Sequence, residues 1–537
     1  MSKKIVLYLI AQLVLLVSFT QTTPISPKLK GWHLLNYLQD GYYGTGVKEA
    51  YQLLAGRKSS PVIIAVIDSG IDTLHEDLKQ NLWTNTKEIP GNGIDDDGNG
   101  YADDVHGWNF CGSATGENEA VNTLEISRVY HKWKPEFENK KEIEIAAGRK
   151  FLFQQWLRSK NILDSQYQVF LKSYPDVENF SSGLQTTNRL ITTYLNKKIF
   201  KKFDIALIPD VDSIGWAASV WKDLFSKSAD SSTTNNTVLS EVEGYKNNLL
   251  TNKKRLLDTI IDYRGALTKD NYEDIKDSVY GNNNLYAHAG NHGTHVAGII
   301  GAVRNNNIGM DGIIDKVKIM FIRAVPGGDE HDKDIALSIR YAVNNGAKII
   351  NMSFGKPVSP YKQFVDDAVK YAALNGVLVV HAAGNDGLNI DKEPFYPNPV
   401  FIDGTKATNF LTVGASGDYS IGGLVAPFSN YGNGVDIFAP GEYINSTTFG
   451  NGYEPYDGTS MASPVAAGVA GLIKSYFPNI TPSQMIDLLK KTGTPIKETV
   501  TQPGSDNKVL LSQLCNSGTI INAAEAVKMA IKLYGKY

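Results

Sequence analysis

Cysteine is almost missing from this chain: its 537 residues include two, Cys111 and Cys515. Two cysteines cannot supply a framework of bridges, and nothing in their positions shows whether they pair or stay as separate thiols. An excess of charge of either sign is also missing, since 53 Lys and Arg stand against 56 Asp and Glu for a net charge of −3. This leaves no electrostatic footprint for nucleic acid and no basic stripe for a membrane surface. Acidic residues are absent before Asp40, and there Lys3 and Lys4 precede an apolar run from Ile5 to Phe19. That pattern reads as a secretory signal, residues 1–23, with cleavage near Thr20 to Thr23 although no Ala-x-Ala site is present. An uncleaved anchor is the alternative; no Cys follows the run, so lipid attachment is not indicated. The expected destination is an exported one, periplasmic or extracellular, with no stable membrane association after cleavage.

Glycine is scarce in one long segment. Residues 117–280 hold five glycines and three prolines, whereas 281–470 hold 26 glycines. Long stretches such as Glu136–Lys160 and Leu249–Tyr263 suit helices, and Ser226–Thr237 reads as a flexible loop. The segment is expected to be a mainly helical insertion. Around it, apolar β-branched runs at Val62–Ile67, Val317–Ile322, Ile349–Met352, Val377–Val380 and Leu411–Val413 read as buried strands. Helical patterns at His295–Val303, Asp334–Asn345 and Tyr361–Asn375 lie between them, and Gly458–Tyr537 offers three more helices. This alternation predicts an α/β fold: three layers, α/β/α, around a mostly parallel sheet. The expected organisation is a signal (1–23), an N-terminal extension (24–60) and a domain over 61–537 interrupted by 117–280. Asp68, Ser353 and Asn385 fall just past strand ends, where active groups gather in such sheets.

Three short motifs carry chemistry. They are Val66-Ile67-Asp68-Ser69-Gly70, Asn291-His292-Gly293-Thr294-His295 and Gly458-Thr459-Ser460-Met461-Ala462-Ser463-Pro464. Together they present a carboxylate, an imidazole and a hydroxyl in the order Asp, His, Ser, one of the known chain orders of an acyl-transfer triad. Ser460 opens an apolar helical pattern, where free backbone N–H groups favour a developing oxyanion. A hydroxyl needs a base to become a nucleophile. His292 is the candidate base, Asp68 the carboxylate that orients it, and Asn385 a second oxyanion donor. Singly, each has a plainer reading: Ser460 as a helix cap, Asp68 as an Asx-turn residue, Asn385-Asp386-Gly387 as a turn. His288, His292 and His295 could instead form a zinc cluster of a metal-dependent hydrolase, but the Glu of His-Glu-x-x-His is missing. A binding protein that keeps the fold without catalysis is a further alternative.

The three motifs resemble those of the subtilisin-like serine peptidases, over about residues 61–115 and 281–537. The resemblance implies a serine endopeptidase acting on peptides or proteins, with Asp68, His292 and Ser460 as the triad and Asn385 as oxyanion donor. It also implies that Ser353, Phe354 and Gly355 pair with extended substrate backbone, and that Ala383 and Gly384 line the primary specificity pocket. No catalytic cofactor is expected. Structural calcium is expected at Asp77 and Asn306. Independently, Asp95-x-Asp97-x-Asn99-Gly100 spaces oxygen ligands like the front of an EF-hand loop, with His106 where the bidentate Glu belongs; a hydrated acidic turn is the alternative. Too few residues separate the signal from the first strand for the folded N-terminal inhibitor usual in that family.

Overall fold

The computed structural model describes residues 29–119, 122–209, 211–227, 232–258, 260–286 and 290–535. The signal (1–23) and His288 therefore lie outside the described residues. Two compact units are present: one comprises Tyr130–Glu138 and Trp156–Ile260, the other Pro27–Val129, Asn139–Gln155 and Ile261–Tyr537.

The larger unit is built on a nine-stranded sheet. In chain order the strands are β1 (Val62–Asp68), β2 (Gly107–Asn109), β3 (Val317–Arg323), β4 (Ile349–Met352), β5 (Leu378–Ala382), β6 (Phe410–Ser416) and β7 (Ile437–Pro440). A hairpin of β8 (Ile444–Thr448) and β9 (Gly452–Tyr456) follows, then β10 (Thr494–Pro495), a small hairpin of β11 (Thr499–Thr501) and β12 (Lys508–Leu510), and β13 (Thr519–Ile520). The spatial order of the large sheet is β10-β13-β7-β6-β5-β4-β1-β3-β2, parallel except at β10/β13. Its central strands are buried on both faces, which is why they read as unbroken apolar runs rather than alternating ones.

Helices cover both faces. One layer contains α1 (Val47–Leu54), α2 (Asn291–Gly301), α5 (Thr459–Tyr476), α6 (Pro482–Thr492) and α7 (Ala523–Tyr534), packed with Ile64, Val66, Phe321 and Val413. The other contains α3 (Asp332–Asn344) and α4 (Lys362–Leu374), packed with Ala65, Ile67, Met320 and Ile350. The three-layer arrangement expected from the sequence is the one observed. The residues before β1 belong to it: Trp32 is fully buried, its Nε1 donates to the Glu442 carbonyl at 3.0 Å, and Ala523 N donates to the Thr45 carbonyl at 2.7 Å.

The smaller unit is helical around Phe200, Trp221, Phe225, Leu184 and Ile191. Its boundaries are narrower than 117–280, because 117–129, 139–155 and 261–280 belong to the larger unit. Glu136–Lys160 is not one helix. The helix Glu125–Phe137 stops where Asn139 adopts a left-handed φ of 69°, and the next long helix runs Lys150–Leu195. The helix read at Leu249–Tyr263 is Asn235–Leu257; Asp262 then caps a separate turn, Tyr263–Thr268, by accepting from Gly265 N. Among the described residues no helix is long and apolar enough to cross a membrane. Cys111 and Cys515 are buried, separate thiols.

Candidate active site

Asp68 ends β1 and is 1% exposed. Its Oδ1 accepts from Ser69 N at 2.7 Å and lies 2.8 Å from His292 Nδ1. His292 is the second residue of α2, and its side chain is 38% exposed, so one face of the imidazole meets solvent. The approach of α2 to β1 depends on the next residue. A Cβ on Gly293 would stand 2.3 Å from the Gly70 carbonyl oxygen and 2.6 Å from Phe321 Cζ. Burial disfavours the imidazolium, but the charge of Asp68 and its hydrogen bond outweigh that, and the His292 pKa is raised above its ordinary 6.5.

Ser460 is the second residue of α5, which packs against α2. Its Oγ donates to the Ser353 carbonyl at 3.0 Å rather than to His292, and Ser353 Oγ returns a bond to the Ser460 carbonyl at 2.9 Å. Asn351 supports this pair: its Nδ2 donates to Ser353 Oγ and its Oδ1 accepts from Ser463 Oγ. The end of β4 is thereby fastened to the first turn of α5.

Asn385 stands on the other side of that turn. Its Oδ1 accepts from both Thr459 N and Thr459 Oγ1, each at 2.8 Å, while Thr459 Oγ1 itself accepts from Gly384 N at 3.1 Å. Held by its oxygen, the amide has its nitrogen free to face the helix start. A side chain on Gly458 would begin 3.5 Å from both Asn385 Nδ2 and Ser460 N, so the two donors border one small space. Gly458 (φ 155°) and Gly384 (φ 101°) hold backbone that other residues rarely adopt. Thr459 was missed in the sequence reading. A hydroxyl beside the serine was the available signal, but its partner emerges only in three dimensions.

The structure thus joins Asp68 to His292, and Ser460 to Ser353 and to the neighbourhood of Asn385. Of the three histidines of the alternative zinc reading, His288 lies outside the described residues, and the other two have separate partners: His292 faces Asp68. His295 is fully buried, stacks on Tyr456 with ring centroids 4.3 Å apart and hydrogen-bonds the Glu454 carbonyl through Nε2 at 3.0 Å. Burial pushes its pKa down to about 3, so the ring is neutral.

At the first candidate cation position the Asn306 amide turns its nitrogen, not its oxygen, toward Asp77. Asp77 is fully buried and accepts from Asn306 Nδ2 (2.7 Å), Met310 N (3.2 Å) and Tyr453 Oη (3.3 Å). In the acidic loop Asp95, Asp97 and the unforeseen Glu88 bring carboxylate oxygens within 4.8 Å of one another, a donor set that suits a hard divalent cation. Asn99 fits less directly. Its Oδ1 accepts from Tyr101 N and its Nδ2 donates to Asp104. His106 faces away and bonds the Trp83 carbonyl at 2.7 Å.

Comparison with known proteins points to one family. The model of the subtilase family matches residues 59–143 and 255–511, which leaves out most of the helical insertion. A thermophilic serine proteinase of Bacillus sp. (strain AK1) is 40% identical over 213 residues, 38% of this chain and 49% of that protein. Alkaline elastase YaB of Bacillus sp. (strain YaB) is 39% identical over 216 residues, 40% of this chain and 52% of that protein. Subtilisin Savinase of Lederbergia lenta is 37% identical over 210 residues, 39% of this chain and 72% of that protein. The chain spans about half the length of the first two. With the family model covering well over half of its residues, this chain belongs to the subtilase family.

Proposed function

We propose that the protein is an exported serine endopeptidase that hydrolyses peptide bonds through an acyl-enzyme. His292, oriented by Asp68, takes the proton of Ser460 as Oγ leaves the Ser353 carbonyl and attacks the substrate carbonyl. Asn385 Nδ2 and Ser460 N receive the oxyanion; protonated His292 then gives its proton to the leaving amine, and water resolves the ester. Ser353, Phe354 and Gly355 serve as the edge for extended substrate backbone, with Ala383 and Gly384 beside the side chain next to the cleaved bond. The observation that carries this reading is the 2.8 Å contact of His292 Nδ1 with Asp68, on a helix packed against the one whose second residue is Ser460. Catalysis so described needs no cofactor and no nucleic-acid partner. Calcium would be held structurally by Asp77 with Asn306, and by Glu88, Asp95 and Asp97 with carbonyl oxygens or water; it would neutralise buried carboxylates and brace loops. The basic-then-apolar start of the sequence supports export.

The test is labelling by a fluorophosphonate probe together with casein hydrolysis. The wild type is expected to do both and Ser460→Ala neither. Activity that survives Ser460→Ala and falls with zinc chelators would favour a metal hydrolase, and an unlabelled, inert wild type would favour a binding protein.

A further inference from the structure

We propose that Phe395 fills the slot meant for the side chain preceding the cleaved bond, and so restricts this chain to peptides with glycine, alanine or serine there. The proposal rests on the peptidase reading and deepens it. If the acyl carbonyl bonded to Ser460 points its oxygen at Asn385 Nδ2 and Ser460 N, the attached side chain must enter between the two segments flanking the serine. One is Ser353–Gly355, tied to Ser460 by the reciprocal bonds at 3.0 and 2.9 Å. The other is Ala383–Asn385, tied to the same helical turn through Thr459.

Each segment contributes a glycine, and one ring touches both. A Cβ on Gly355 would lie 2.2 Å from Phe395 Cε1 and 2.6 Å from Cζ; a Cβ on Gly384 would lie 3.1 and 3.0 Å from the same two atoms. The tip of the ring is therefore wedged between the two walls. Its backbone is pinned, because the neighbouring Tyr396 exchanges both hydrogen bonds with Lys356, at 2.9 Å each, directly after Gly355. Phe395 is only half-buried, as a residue at a site mouth should be. It also lines a cavity of about 460 Å³ that shares Ala383 with the slot but includes neither glycine in its wall. That volume could take an aromatic side chain if the ring were gone. With the ring in place, a large side chain must displace it from two backbone contacts, whereas one methyl or hydroxymethyl group need not.

The test uses peptide p-nitroanilides identical except for Gly, Ala, Ser, Leu or Phe before the scissile bond, with rates normalised to sites titrated by the fluorophosphonate. The wild type is expected to show kcat/KM at least about tenfold higher for Ala or Ser than for Leu or Phe. Phe395→Ala is expected to raise kcat/KM for the Phe substrate by more than the wild-type preference for Ala, reversing the order. A labelled wild type that prefers Leu or Phe overturns the proposal and leaves the peptidase reading intact; this readout stands even if Phe395→Ala fails to fold. A folded Phe395→Ala that keeps the wild-type order also overturns it. Labelling without cleavage of any small-residue peptide counts against it too. Absence of both labelling and cleavage removes the peptidase reading, and the proposal with it.

Discussion

In the proposed mechanism Asn385 serves as a donor because its oxygen is already taken. With Oδ1 bonded twice to Thr459, the amide cannot rotate without losing two hydrogen bonds, so the nitrogen is preset toward the space beside Ser460 N. Asn385→Ala is expected to lower kcat by about 10² to 10³ with little change in KM. Thr459→Val should lower kcat by about tenfold, since the donor survives but its orientation loosens, and should cost about 1–3 kcal/mol of stability because Gly384 N loses its buried acceptor. A kcat-against-KM comparison with a denaturant melt separates these. His292 sets the pH dependence. Its pKa is raised above 6.5, so hydrolysis should fall as pH drops through that higher value and the base becomes protonated. The same shift means that the Asp68–imidazolium pair adds stability below pH 6.5 and loses it as pH rises through the folded-state pKa. Asp68→Asn should move the acid limb to lower pH and cut turnover by about 10⁴; an unmoved limb in a pH–rate series would refute the assignment. Asp68, His292 and Ser460 could be singled out as candidates in the sequence because each sits in a short motif at an element end. Thr459 and Phe395 could not, because each acts across space on backbone far away in the chain.

At the scale of elements, the site depends on how closely α2 can approach β1. Gly293→Ala would push a methyl into the Gly70 carbonyl and the Phe321 ring, and neither the backbone nor a packed core ring gives way readily. It should destabilise the protein by about 1–3 kcal/mol and slow fluorophosphonate labelling, since His292 is carried on the same turn. Thermal melts and labelling rates check the two effects. The acidic loop supports a second expectation: a calcium chelator should lower the thermal midpoint, and the double change Asp95→Asn, Asp97→Asn should make that midpoint less sensitive to calcium than in the wild type. Equal sensitivity in both proteins would dismiss the loop as a cation site. The central strands were readable because burial on both faces leaves an unbroken apolar run. The helix breaks at Asn139 and Asp258 were not, because apolar spacing continues across them while capping and a left-handed residue stop the helix.

For the whole molecule, the larger unit is sewn together by contacts between residues remote in sequence. Arg264 is 2% exposed and pairs with Asp334 and Asp270, the latter also bonded to Lys333, while Tyr280 Oη donates to Asp334. Removing that one guanidinium leaves buried Asp334 with the Tyr280 hydroxyl and no cation, while Asp270 keeps Lys333. Arg264→Leu should cost about 3–5 kcal/mol, read from denaturant midpoints. The extension 24–60 could not be assigned a place from its own pattern, because the groups that bury Trp32 and receive Thr45 lie beyond residue 440. That arrangement has a consequence for biogenesis. The bonds of Trp32 to Glu442 and of Thr45 to Ala523 cannot form until nearly all of the chain has been synthesised. Contacts of such high sequence separation close late, after most of the chain has left the ribosome.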